Sequence, residues 1–137
     1  MQSDRKQYHI NPFKNTVHRS SLFAPTMNNS DTWITFVNHF LIKRNYKSVA
    51  LKLTAIGNLG NLLDSQTIEI SEPKVYSFNL SLIFKKSKAL NYLVEFYSDK
   101  NLFVPFPAVI VSHIGKGFCN VVHAYNRILN DVFEVLN

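Results

Sequence analysis

Much that usually announces a function is scarce in this chain. One cysteine occurs in 137 residues, so no intrachain disulfide can form and a four-cysteine zinc site is impossible. The four glycines are too few for a phosphate-cradling loop once the turns have taken their share. Acids number nine against fifteen Lys and Arg. Asp64, Glu69 and Glu72 fall on expected turn or surface positions, so no carboxylate pair for acid–base catalysis is visible. No run approaches the roughly 18 apolar residues of a membrane-spanning helix; the longest, residues 103–111, is broken by Pro105 and Pro107. Residues 1–30 hold no apolar stretch of the kind a secretory leader needs. These absences point away from an enzyme, from a cofactor, from a metal centre and from a membrane span. They make the cytoplasm the expected compartment, which is otherwise unknown.

Material for a core is plentiful. Apolar residues make up 46% of the chain and aromatic residues 13%, with charged residues at 18% against about 25% in ordinary domains. A single folded domain fits that length and composition.

The net charge of +6 is unevenly spread. Residues 1–60 carry eight cations and two acids, whereas residues 61–137 carry seven of each. Lysine outnumbers arginine eleven to four. Nucleic-acid sites lean on arginine for its bidentate fork, so the lysine excess weakens that reading. Nucleic acid is therefore the less favoured partner.

Residues 1–31 read as an N-terminal arm, extended or partly disordered, with Phe13, Leu22 and Phe23 available to dock on the domain or on a neighbour. From residue 32 the apolar pattern takes period two, and residues 32–137 read as one domain. The alternation predicts strands over 32–42, 48–56, 62–70, 74–84, 90–98, 102–104 with 108–113, and 118–125. Residues 57–61, Gly-Asn-Leu-Gly-Asn, mark a hairpin turn, and residues 114–117 a second. After Tyr125 the period shifts. Ile128, Leu129, Val132, Phe133 and Leu136 sit at helical spacing, which predicts a short C-terminal helix, with an extended tail as the alternative. About seven short strands with regular turns describe an antiparallel β-sandwich, immunoglobulin- or fibronectin-III-like in form. A small barrel or jelly roll is the alternative.

Five histidines invite a metal reading. With residues 114–117 as the turn, His113 would face Phe118, and His123 would lie about 16 Å further along, too far to share an ion. Cys119 and His123 are four apart, about 13 Å on a strand, beyond the reach of a nucleophile–base pair. Cys119 reads as a small core residue.

Two polar groupings stand out. Asn38 and His39 interrupt an apolar strand. Asn120, His123, Tyr125, Asn126, Arg127, Asn130 and Asp131 collect around the last strand. Amides and carboxylates that bond hydroxyls, beside a ring that stacks on C–H faces, suit a glycan or small polar ligand. Such residues also close Asx turns at strand ends. Lys43, Arg44, Tyr46 and Lys47 form a basic strip with one aromatic, a pattern that can grip phosphate and stack a base. The preferred reading is a non-catalytic interaction or assembly module that binds a protein partner or a second copy of itself. Phe103, Phe106 and Tyr97 are its exposed aromatics. The alternatives are glycan binding through the Asn120–Asp131 cluster and nucleic-acid binding through the arm and the basic strip.

Overall fold

In the computed structural model the described residues are 20–47, 49–98 and 108–125. Eight strands and two one-turn helices account for most of them. In chain order they are β1 (Ser20–Pro25), β2 (Ser30–Val37), α1 (His39–Arg44), β3 (Val49–Ile56), β4 (Leu62–Ile70), β5 (Val75–Asn79), α2 (Leu80–Ile83), β6 (Asn91–Ser98), β7 (Ala108–Gly115) and β8 (Phe118–Tyr125). They build two four-stranded antiparallel sheets, ordered β1-β6-β3-β4 and β5-β2-β7-β8.

The inner strands turn alternate side chains inward. β3 buries Val49, Leu51, Leu53 and Ala55; β6 buries Tyr92, Val94 and Phe96; β2 buries Ile34 and Phe36; β7 buries Val109 and Val111. The sheets meet through rings. Phe36 of β2 packs edge-on to Phe96 of β6 at 5.0 Å, and Phe40 of α1 lies 5.5 Å from Phe96. Such pairs add about 0.5–1.5 kcal/mol beyond burial alone. Phe36 also stacks on Tyr76 at 5.7 Å.

The β3–β4 hairpin forms about the expected turn, with Ile56 opposite Leu62, and an irregularity between Ala55 and Ile56 shifts the rest of the ladder by one residue, to Val49 opposite Ile70. The β7–β8 hairpin is tighter than its expected four-residue turn. Only Lys116 and Gly117 form the loop, and Gly117 takes a φ of 84° that favours glycine. Gly115 stays in β7, where an added Cβ would come within 2.5 Å of the Asn29 carbonyl. The register moves with the shorter loop, so His113 pairs with Asn120 instead of Phe118.

Two predicted strands stop early, and for the same reason. The strand expected over 32–42 ends at Val37, and the one expected over 74–84 ends at Asn79. In each case an asparagine caps a helical turn. The Asn38 side chain accepts from the Leu41 amide, and the Asn79 side chain accepts from the Leu82 amide. Asparagine at this position satisfies a donor that the first turn leaves open. Phe40 is still buried, from a helix, but Ile42 is exposed.

The expected arm also needs revision. Ser20–Pro25 is a sheet strand paired antiparallel with β6, and Leu22 is buried while Phe23 is exposed. Residues 1–19, with Phe13, lie outside the described residues. So do Phe103, Phe106, the Pro105 and Pro107 break and the predicted C-terminal helix.

Candidate functional site

The outward face of the second sheet departs most from an ordinary solvated surface. Register places its residues in rows across the strands. Asn79, Trp33, Ser112 and Val121 form one row; Ser77, Thr35, Ile110 and His123 form the next. Val75 lies opposite Val37, and Ile114 lies between Asp31 and Cys119. Val37, Val75, Ile110, Ile114 and Val121 are all exposed, Val75 and Val121 each at 58%. Trp33, the chain's single tryptophan, is half-buried among them. The polar members are tied to each other: the Thr35 and Ser77 hydroxyls lie 2.9 Å apart, and the Asn79 amide donates to Asp31 at 3.0 Å. Asp31 is the face's single acid among the described side chains, and no Lys or Arg is among them. Alternation alone hides this face, because a strand that is apolar on both sides reads as doubly buried.

The sequence-predicted site residues do not converge. Asn120 and His123 are three positions apart on β8, hence on opposite faces. The Asn120 amide contacts Met27 Sδ at 3.5 Å on the inward side, while His123 belongs to the outward face. Tyr125 ends β8; Asn126, Arg127, Asn130 and Asp131 lie outside the described residues. Asn38 is fully buried, and its groups are committed. Its side-chain oxygen holds α1, its amide donates to the Glu72 carbonyl at 2.9 Å, and its backbone N–H donates to the Lys74 carbonyl. It is a framework residue with no atom left for a ligand.

His39 opens α1, with Nδ1 3.3 Å from the Val37 carbonyl and its ring against Phe40. Burial holds its pKa below the ordinary 6.5; the Val37 hydrogen bond opposes this, and Lys43 and Arg44 reinforce it. Lys43 and Arg44 close the last turn of α1, the end where cations meet the negative pole of the helix. Asn45 follows in the left-handed conformation, and its N–H bonds the Leu41 carbonyl. Tyr46 packs partly against the core and Lys47 is exposed. The basic strip is thus a helix end with a half-buried ring, without the free aromatic platform that base stacking needs.

Cys119 is exposed, on the outward face and not in the core as expected. His113 is buried, with Nε2 donating to the Pro25 carbonyl at 2.7 Å. Its Nδ1 and the hydroxyl of its register partner Thr32 lack hydrogen-bond partners among the described residues. His113 faces inward and His123 outward, which keeps the two rings apart. Among the described residues no three His, Cys, Asp or Glu side chains gather as a metal site requires. A shallow depression of about 320 Å³ lies on the first sheet, lined by Lys52, Thr54, Leu62, Leu63, Asp64 and Ser65. It is open, and Asp64 in its lining accepts from the Ser65 backbone N–H. No helix among the described residues is long and apolar enough to cross a membrane. No family model, curated protein or solved structure matches the chain.

Proposed function

We propose that the protein is a non-catalytic β-sandwich module that works by binding a protein partner or a second copy of itself through the outward face of its second sheet. One observation carries this reading: five exposed aliphatic side chains share with a half-buried tryptophan a sheet face with almost no charge. Exposed apolar side chains gathered on one face mark interaction sites, and the centres of interfaces are depleted in charge and enriched in tryptophan. Two four-stranded antiparallel sheets support a sandwich, which we read as immunoglobulin- or fibronectin-III-like in form, with a jelly roll as the alternative.

Trp33 makes the test direct. Docking on this face moves Trp33 emission to shorter wavelength as concentration or partner is raised, and light scattering shows the matching mass. Emission and mass that stay constant across a broad concentration range, together with no capture by immobilised chain, would remove self-association. Failure of Ile110→Lys to change capture of any partner so isolated would remove the face itself.

Glycan binding keeps less support, since Asn120 and His123 face opposite ways.

A further inference from the structure

A second surface lies at one end of the molecule, built from chain connections and bordering one edge of the outward face. The β1–β2, β3–β4, β5–β6 and β7–β8 connections meet there. The Thr26 amide donates to the Leu90 carbonyl at 3.0 Å, and the Leu90 amide donates to the Ile56 carbonyl at 2.8 Å. Thus the loop before β6 sits between the β1–β2 loop and the β3–β4 hairpin tip. Asn120 reaches Met27, which adds the β7–β8 turn. The Thr32 amide donates to the Ser81 hydroxyl at 2.9 Å, which adds α2.

The tips at this end are aliphatic. Leu59 crowns the β3–β4 hairpin at 98% exposure, and Leu62 beside it is 73% exposed. Leu82 on α2 and Leu90 before β6 are also mostly exposed. Leu59 further sits at φ 60°, ψ 18°, a conformation that costs a side-chain-bearing residue about 1 kcal/mol or more. Solvent exposure and backbone strain are thus both spent on one leucine where Gly, Asn or Asp would fit without either. Around these tips stand Lys85, Lys86, Lys88 and Lys116, all exposed. The acids nearest them are already bonded locally, Asp31 to Asn79 and Asp64 to the Ser65 amide.

We propose that this end docks on an anionic lipid surface, the leucines entering the boundary between headgroups and acyl chains and the lysines meeting acidic headgroups. Leucines carried on separate chain connections suit a bilayer, which needs no complementary shape, better than a folded partner. Aliphatic insertion combined with nearby cations is the chemistry of interfacial binding. Nucleic acid would call for several exposed aromatic faces to stack bases, whereas this end presents four exposed leucines and the single exposed ring of Phe118.

The full chain should sediment with phosphatidylcholine vesicles that contain phosphatidylserine and not with phosphatidylcholine alone. The Lys85→Glu, Lys86→Glu, Lys88→Glu triple variant should weaken partitioning by at least about a hundredfold, since the loss of three cations alone gives roughly fivefold each and the added acids repel the surface. Leu59→Asn with Leu62→Ser should lower it by about tenfold or more, and Leu59→Asn keeps the left-handed turn. Lys43→Glu with Arg44→Glu, at the opposite end, should change it little. Far-UV circular dichroism checks that each variant folds. Absence of sedimentation with either vesicle overturns the proposal. Loss in the lysine variant with none in the leucine variant also overturns it, since that pattern marks a soluble acidic peptide or bare anion instead. Val37→Lys, at the far end of β2 on the outward face, should leave vesicle binding unchanged, so the result is separable from docking on that face.

Discussion

The outward faces of the two sheets arise from the same alternation and differ in chemistry. On the first sheet, half-buried Lys52 lies between Thr67 and the buried Glu95, and Ser65 and Glu69 are exposed beside it; Phe23 and Leu63 are exposed apolar groups there. On the second, Val37, Val75, Ile110, Ile114 and Val121 stand open around Trp33. A half-solvated antiparallel sheet is expected to look like the first. The second resembles a core face that lacks its cover, and the difference locates the interaction surface without any catalytic motif.

Changes on the shared inner side should have the largest effect and should not discriminate between the faces. Phe96→Ala and Phe36→Ala each remove a ring from the junction of the sheets and should cost about 3–5 kcal/mol in denaturant unfolding, whereas Thr35→Ala, one position from Phe36 but outward, should cost well under that. Next comes Asn38→Ala, which strips α1 of its cap and leaves buried backbone groups unsatisfied; a loss of about 2 kcal/mol is expected from the same measurement. A drop no larger than that of an exposed substitution would show that the α1 turn is held by other contacts.

Charge placed on the two faces sharpens the contrast. The triple variant Val37→Lys, Ile110→Lys, Ile114→Lys should abolish partner or self binding, read by solution mass and Trp33 emission, with a stability change within about 1 kcal/mol. Thr67→Lys on the first sheet should leave binding intact. Relief of strain is a smaller effect: Leu59→Gly or Leu59→Asn should stabilise the fold by about 0.5–1 kcal/mol.

The smallest effect is one of pH. Burial lowers the His39 pKa from 6.5, so the unfolded chain takes up a proton before the folded one does. The stabilisation is complete above about pH 6.5 and declines as pH falls from there through the depressed folded value. His39→Gln should flatten that part of the stability profile. An unchanged profile in the variant would assign the slope to another group.

Local pattern made much of the fold legible. Strands β3, β4, β6 and β8 fall where period two places them; β3 and β6 each pair a buried row with a more open one, and turn residues bound the other two. The two strand ends at Asn38 and Asn79 were legible in principle, since asparagine before a short apolar run is a cap signal, but the alternation around them masks it: Phe40 and Leu80 are buried on either reading. Strand β1 was obscured because Ser20–Pro25 is short and ends in proline, and its partner β6 lies some seventy residues away. The polar cluster on β8 dissolved because a strand sends Asn120 and His123 to opposite sides, a division that proximity in sequence conceals.

The sequence by itself determined the β-rich class, the hairpins, the confinement of excess charge to the first 60 residues and the poverty of catalytic groups. These follow from composition and from a two-residue period that each segment expresses alone. The tertiary structure decided that Trp33 shares an outward row with Val121, that Cys119 is exposed, and that four connections bring leucines and lysines to one end. Such outcomes depend on which strand lies beside which and on what covers each face. Those choices are made by long-range pairing and by the burial of a common core, and no local window contains them.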